Sequence, residues 1–456
     1  MKVLKFGGTS VGTVESLKNL KAIVDVLEEP AVVVVSALGG LTDQLIATAN
    51  LAVKRDETYK DNIKGMSKRH HDIIEQMVPE TKKNDVLQTV NPLLKELEEI
   101  YTGVYYLQDL SEKTLNRIVS FGERMSSYIV ANILKNAQHK DSLEFIKTEK
   151  WFDDNISSRQ VTDGLIREKF VKPLSSTTVV GGFIAKDRDT EEITNLGRGG
   201  SDYTAALIAA ALDADILEIW TDVDGFMTAD PRLIPEAQVI NNMTFIESME
   251  LCSFGAKVIY PPTIYPVFHK NIPIKILNTH NPKAPGTLIT DNAANLPADV
   301  RGVSSIKNTA IINLSGDLTS NIAEINSRTY NAMARNGINI SLVGQPSDEA
   351  VFSMTVKSSD VNKAVEILKK EFAPELQNGD IKGIEVIKGL SVIAVVRESI
   401  KKLKGLGARL INTLNRDNIP VKAISDGPSE TTIAIVVEEE NTEKALKLIH
   451  AACFRK

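Results

Sequence analysis

Asn195-Leu196-Gly197-Arg198-Gly199-Gly200-Ser201-Asp202 is the stretch on which the reading of this chain turns. Thr177–Val180 and Gly181-Gly182-Phe183 precede it and read as a β-branched strand entering a tight turn. Tyr203–Leu212 follows, alanine-rich and apolar, with the character of a buried helix. A glycine-rich loop therefore opens onto a helix N-terminus, where free N–H groups and the helix dipole favour an anion. Arg198 adds a planar fork suited to a carboxylate or phosphate. Asp202, in the first helical turn, is placed to orient a lysine or a metal-bound water. The same residues also suit a plain glycine turn with a capping Ser201 and a solvated Arg198, so the rest of the chain has to decide.

Working outward, the N-terminal part repeats one pattern. Lys2–Phe6 reads as a strand ending at Gly7-Gly8-Thr9-Ser10, with helical spacing over Glu15–Leu27. Ala31–Val35 is a continuous β-branched run, expected of a strand buried on both faces, and it ends at Ser36-Ala37-Leu38-Gly39-Gly40 before a helix over Thr42–Val53. These are βαβ units with a parallel sheet, whose ligands sit at the carboxyl ends of strands, where the glycines fall. Lys54–Tyr106 reads as helices over one side of the sheet. Leu110–Ala137 continues helical with an interruption at Phe121-Gly122-Glu123, from a ligand approach or a plain helix contact. Ile216–Thr221 is another strand, followed by the polar turns Thr221-Asp222-Val223-Asp224-Gly225 and Ala229-Asp230-Pro231-Arg232. Ser253–Val258 looks helical and carries Lys257. Pro282–Thr287 and Asn292–Pro297 read as a linker closing a first domain near residue 300.

Composition limits the function classes. The 456 residues are 43% hydrophobic and 25% charged, with a net charge of −6, which excludes a broadly basic nucleic-acid or membrane surface. The two cysteines, Cys252 and Cys453, have no metal-ligand spacing, and no metal-binding residue is expected. Without a signal peptide or a spanning apolar run, a cytoplasmic location is the expectation.

The tail is a duplication. Residues from about 310 to 370 align without gaps on residues 81 positions later: Arg328 on Arg409, Asn331 on Asn412, Ile338 on Ile419, Glu349 on Glu430 and Lys363 on Lys444. Both copies read as βαββα, with strands over Ala310–Leu314, Ile338–Val343 and Ala350–Val356, then over Ser391–Val396, Ile419–Ile424 and Thr431–Val437. A unit this small buries little core alone and gains by pairing its sheet, either with the other copy or with another chain.

No familiar nucleotide loop is present: Gly12 is followed by Thr13 where a Walker loop needs lysine, and Gly197-Arg198-Gly199 lacks the third glycine of a dinucleotide fingerprint. Several short glycine turns must act together. Lys5-Phe6-Gly7-Gly8-Thr9-Ser10, Phe121-Gly122-Glu123, Gly197–Asp202, Thr221-Asp222-Val223-Asp224-Gly225 and Phe254-Gly255-Ala256-Lys257-Val258, in this order, resemble the aspartate kinases (aspartokinases) of the amino acid kinase family, over essentially the entire chain.

The resemblance implies an α/β fold: a three-layer αβα sandwich with a mainly parallel central sheet over residues 1–300, then ACT-like βαββα domains over 301–385 and 386–456. It implies transfer of the γ-phosphoryl group of ATP, with Mg²⁺, to the β-carboxylate of L-aspartate, the step towards lysine, threonine and methionine. Carried over by position, Lys5, Arg198 and Asp202 are the catalytic residues. Thr42, Glu123, Arg198 and Ser201 bind substrate. Lys5, Phe6, Gly7, Gly8, Ser10, Thr221, Asp222, Met227, Arg232, Lys257 and Val258 bind nucleotide. The chemistry agrees: a carboxylate acceptor, with a pKa near ~4, is already a nucleophile and needs no general base, only cancellation of anion–anion repulsion and in-line placement.

Departures from the family pattern are Met227 in place of an aromatic, Tyr260 and Pro262 after the lysine, and Asp43 after Thr42. Asn339, Ile340, Ser341 and Gln345 are the candidate effector residues; Ser341 and Gln345 lean towards threonine over lysine as the inhibitor. A homodimer through the ACT-like domains, or a tetramer of such dimers, is the expected assembly, with no fused homoserine dehydrogenase. The competing readings are another acyl, carbamate or nucleotide kinase of the same family, and a catalytically dead amino-acid sensor.

Overall fold

The computed structural model describes residues 1–151, 154–291, 300–316, 322–344, 350–397, 405–426 and 431–454. Its contacts divide the chain into two units. The first holds Met1–Phe226, Val239–Phe245 and Val258–Asn295; the second holds Met227–Gln238, Ile246–Lys257 and Leu296–Lys456.

In the first unit the strands are β1 (Lys2–Phe6), β2 (Val32–Val35), β3 (Ala137–His139), β4 (Lys147–Trp151), β5 (Asp154–Ser157), β6 (Thr177–Gly181), β7 (Ile184–Asp187), β8 (Ile193–Asn195), β9 (Ile216–Thr221), β10 (Asn242–Thr244), β11 (Ile274–Asn278) and β12 (Thr287–Thr290). Eight of them form one sheet in the order β10-β12-β11-β9-β1-β2-β6-β3. Every pair is parallel except β11 with β12. Pro282–Thr287 is therefore not a linker: Thr287 begins a strand of this sheet, and 292–297 lies outside the described residues. The short polar strands β4, β5, β7 and β8 form a separate four-stranded sheet that periodicity did not reveal.

All four residues of β2 are buried, as a strand covered on both faces requires. On one face Leu4, Phe6, Val33, Val35 and Val179 join a core with α2 (Val14–Val24), α3 (Leu41–Val53), α4 (Tyr59–Met77), α5 (Glu80–Leu107) and α6 (Glu112–Ile133). On the other, α8 (Gly200–Ala211) packs on β1, β2 and β9, with α7 (Arg159–Lys169) beside it. These are the three layers. The single turn α1 (Gly8–Val11) leads from β1 into α2. The strand period of two sends Lys5, between Leu4 and Phe6, to the α8 face. The interruption of the helical pattern at Phe121-Gly122-Glu123 leaves the helix itself intact, and α6 runs through it. A Cβ on Gly122 would lie 2.7 Å from the Ala37 Cβ, so glycine here permits close approach of α6 to the turn after β2.

The second unit carries β13 (Gly302–Gly316), β14 (Leu342–Gly344), β15 (Ala350–Lys357), β16 (Ile381–Val396), β17 (Val421–Asp426) and β18 (Thr432–Glu438). They form one six-stranded sheet, β14-β15-β13-β16-β18-β17. The two repeats thus pair with each other, edge to edge, through the long antiparallel ladder of β13 with β16. The register keeps the 81-residue relation. Ile306 pairs with Val392; adding 81 to the first and subtracting 81 from the second gives Ile387 with Ile311, also a pair. Thr309 faces its own repeat counterpart, Leu390, and donates its Oγ1 hydrogen to the Leu390 carbonyl at 2.8 Å. On either side of this local twofold, Asn308 (φ 55°) and Gly389 (φ 72°) both adopt the left-handed conformation. The expected strand Ile338–Val343 shrinks to Leu342–Gly344.

Candidate active site

A cleft of about 360 Å³ opens at the carboxyl ends of the strands, lined by Lys5, Gly8, Ser36–Gly40, Thr42, Asp43, Glu123, Phe183, Gly197 and Gly199–Asp202. It follows directly from the topology: β1 runs into Gly7, β2 into Ser36 and β6 into Gly182, and α8 begins beside them. Lys5, Gly8, Thr42, Glu123, Ser201 and Asp202, separated by up to 197 positions in sequence, meet here.

Lys5 Nζ lies 2.7 Å from Asp202 Oδ1, with both side chains only 11% and 13% exposed. The ion pair joins β1 to the first turn of α8 and fixes an ammonium group at the cleft wall. Gly7 N–H donates to the Trp220 carbonyl at 3.2 Å, locking the turn to β9. Phe6 and Ser10 support from beneath: Phe6 is buried and stacked on Trp220, and the buried Ser10 hydroxyl is 2.7 Å from Thr279 Oγ1.

Two helices present uncapped N-termini to this space. Gly40 (φ 76°) precedes α3 and Gly199 (φ 71°) precedes α8, both left-handed, and neither supplies a side-chain cap. By contrast, Thr13 caps α2 through Ser16 N–H at 3.1 Å, and Ser111 caps α6 through Thr114 N–H at 3.2 Å. A capping side chain occupies the first-turn donors; glycine leaves them for an anion. Ser201, at the start of α8, accepts from Ser36 Oγ at 2.9 Å.

The opposite charge requirement comes from Glu123. Its Oε1 accepts from Ala37 N–H at 3.0 Å, whereas Oε2 is buried with no partner. Burial pushes the carboxyl up to about 8, against the pull of the Ala37 N–H. A buried acceptor without a donor is costly, and in a cleft it marks the place of a cationic ligand group.

Arg198 is exposed, and it is flanked by Gly197 and Gly199, which line the cleft while it does not. Thr221 Oγ1 donates to Asp222 Oδ1 at 3.2 Å in the turn after β9. Met227, Arg232 and Lys257 belong to the second unit and Val258 to the first. Arg232 is engaged by Asp230, with Nη2 to Oδ2 at 2.7 Å. Lys257 is exposed, but not on a helix: α9 (Phe245–Ser253) stops before it, at the turn made by Gly255 (φ 113°). Among the candidate effector residues, Ser341 donates its N–H to the Thr355 carbonyl at 2.8 Å, Asn339 is exposed, Ile340 is half-buried, and Gln345 lies outside the described residues. The Gly39-Gly40 turn lines the cleft as its place at a strand end predicts; Ser36 and Phe183 join it from the ends of β2 and β6, and Asp43 from the first turn of α3.

The sequence profile of the amino acid kinase family matches residues 1–278, and that of the ACT domain matches 312–372 and 393–453. The bifunctional aspartokinase/homoserine dehydrogenase of Haemophilus influenzae is 33% identical over 466 aligned positions, covering 100% of this chain and 56% of that protein. The chain spans about half the length of this and similar curated relatives, 56%, 56% and 51% for three of them. Escherichia coli aspartokinase III in complex with aspartate and ADP (R-state) superimposes with a TM-score of 0.85 at 26% identity, covering 100% of both chains. The same enzyme with lysine and aspartate (T-state) gives 0.76, again at 26% identity and full coverage of both chains.

Proposed function

The chain belongs to the amino acid kinase family, and we propose that it transfers the γ-phosphoryl group of ATP to the β-carboxylate of L-aspartate, releasing ADP and 4-phospho-L-aspartate. The observation that carries this reading is the pairing of opposite charge demands in one cleft: the Lys5 ammonium with two uncapped helix N-termini for anions, and the partnerless Glu123 Oε2 for a cation. An amino acid bearing a second carboxylate and meeting a phosphate chain presents that combination of charges.

In this reading Glu123 takes the α-ammonium group of aspartate, and Arg198, on its loop between two left-handed glycines, takes the α-carboxylate. Thr42 and Ser201 hold the remaining polar atoms. The β-carboxylate attacks γ-phosphorus in line; its own charge makes a base unnecessary, and the proton inventory does not change. Lys5 and the Gly8 amide stabilise negative charge on the phosphoryl oxygens as the bond to the β–γ bridging oxygen breaks, while the Gly7 N–H, engaged by the Trp220 carbonyl, holds the turn in place instead of binding phosphate. Asp202 holds Lys5 in place. Thr221 and Asp222, in the turn after β9, are the nucleotide contacts of this unit. In this reading magnesium is held by the nucleotide phosphates and water, which asks for no dense carboxylate cluster from the protein. Magnesium supplies charge neutralisation on those phosphates when bound.

The duplicated unit is proposed as a regulatory module that binds an amino acid, with threonine favoured over lysine by Ser341 and Gln345, and as the surface for homodimerisation. The domain limits 301–385 and 386–456 go with that proposal. ADP release is the test: turnover dependent on aspartate, absent with acetylglutamate, glutamate, carbamate or a nucleoside monophosphate, and lowered by threonine. Turnover with another acceptor and none with aspartate would replace the substrate; no turnover with any would leave an amino-acid sensor.

A further inference from the structure

The turns after β1 and β2 interlock so tightly that no side chain separates them: a Cβ on Gly39 would sit 2.9 Å from the Gly8 carbonyl oxygen. Their hold comes from behind. Arg69, on α4, donates from Nη2 to the Gly12 carbonyl at 2.8 Å and to the Gly39 carbonyl at 2.9 Å. One guanidinium thus ties both turns together. Its own helix is anchored by burial of Ile63, Met66, Ile73 and Ile74 in the core.

The consequence lies on the other side of the peptide. In a trans peptide the C=O and N–H point in opposite directions. Holding the Gly39 carbonyl towards Arg69 therefore aims the Gly40 N–H away from it. Gly40 lines the cleft, and among the hydrogen bonds of the described residues none uses its N–H. A charged donor on the carbonyl also polarises the peptide and makes that N–H a stronger donor.

We propose that Arg69 is a positioning residue for an oxyanion bound in the cleft: it sets the Gly39–Gly40 turn so that the Gly40 N–H points at negative charge there. The identity of that anion, phosphoryl group or acceptor carboxylate, rests on the function proposed above; the placement of the turn does not.

Arg69→Gln is the test. A misplaced donor costs on the order of 100-fold in turnover. The expected result is a kcat lower by about 10- to 100-fold, with MgADP affinity within about 3-fold of the parent because Lys5 keeps its pair with Asp202 and Thr221 and Asp222 lie outside the Arg69 contacts. Arg69→Ala should regain part of its turnover in millimolar guanidinium and none in equal sodium chloride, a response a purely structural loss does not give. Should Arg69→Gln not fold, Arg69→Lys carries the test: it keeps the stem and charge, reaches one carbonyl, and should lose turnover by a smaller factor. Parental kcat in a folded Arg69 variant overturns the inference. Hydrogen exchange needs no turnover and so separates this claim from the assigned reaction. Faster exchange confined to residues 8–13 and 36–43 in the variant supports it, and unchanged exchange there contradicts it, whether or not the parent phosphorylates aspartate.

Discussion

The cleft of the first unit and the six-stranded sheet of the second solve opposite problems. The sheet satisfies itself: β13 and β16 exchange hydrogen bonds in a register that maps onto itself under the 81-residue repeat, and the strand interiors Val392–Val396 and Ile433–Val437 are buried. The cleft does the reverse. It leaves Glu123 Oε2 without a partner, leaves two helix N-termini uncapped, and holds Phe183 at φ 66°, a conformation rare for a bulky residue. In the cleft the unmade interactions lie where a ligand can reach them, whereas the repeat has its central ladder closed. The local cost of each open group is repaid only when substrate binds.

The comparison breaks most readily at Lys5. Lys5→Ala is expected to cut kcat by about 10³-fold, the scale of one lost charge-stabilising donor, while far-UV circular dichroism and Tm stay close to the parent. A large fall in Tm would instead make Lys5 a structural residue. In the sheet the ranking reverses. Ile435→Ala, at a fully buried position, should cost about 2–5 kcal/mol of stability and show as faster hydrogen exchange over 432–438, with KM for aspartate unchanged at saturating folding.

Glu123 sharpens the contrast through pH. Its carboxyl in the free fold is raised to about 8 from the ordinary 4.5. Its contribution to stability is therefore full below about 4.5 and is lost as pH rises through about 8. An ammonium ligand needs the ionised form, so apparent aspartate affinity should rise by up to about tenfold per pH unit below pH 8 and then level off. Glu123→Gln should remove that slope and weaken aspartate binding, read by calorimetry in two buffers with different protonation heats. A pH-independent affinity in the parent would place the ammonium elsewhere. The smallest effect tests the local twofold: Gly389→Ala should destabilise by about 1 kcal/mol, the cost of a Cβ in the left-handed region, whereas Asn308→Gly should be neutral or slightly stabilising, both read by thermal melts.

What the sequence made legible follows the strength of its physical signal. Val32–Val35 announces a doubly covered parallel strand, and glycines at strand ends announce the cleft, because both follow from burial and backbone geometry alone. The tail's two copies were visible in the repeat, but whether they pair with each other depends on edge contacts with no sequence signature beyond the matched β13 and β16 strands. The strands β4, β5, β7 and β8 escaped because they are short and polar. Gly122 signals a packing contact in the sequence, and the structure supplies its partner, the turn after β2; the helical look of Ser253–Val258 misleads, because the helix ends at Ser253 and leaves Lys257 beyond it. Arg69 had no signal at all: one arginine in a charged helix looks like any other until its carbonyl partners are seen.

The most direct measurement is initial-rate ADP release by the parent chain and Lys5→Ala, with and without L-aspartate, at matched Tm. Aspartate-dependent release in the parent and its loss in Lys5→Ala is the predicted result. A parent indifferent to aspartate, or a variant that turns over undiminished, would contradict the assignment of this cleft to phosphoryl transfer.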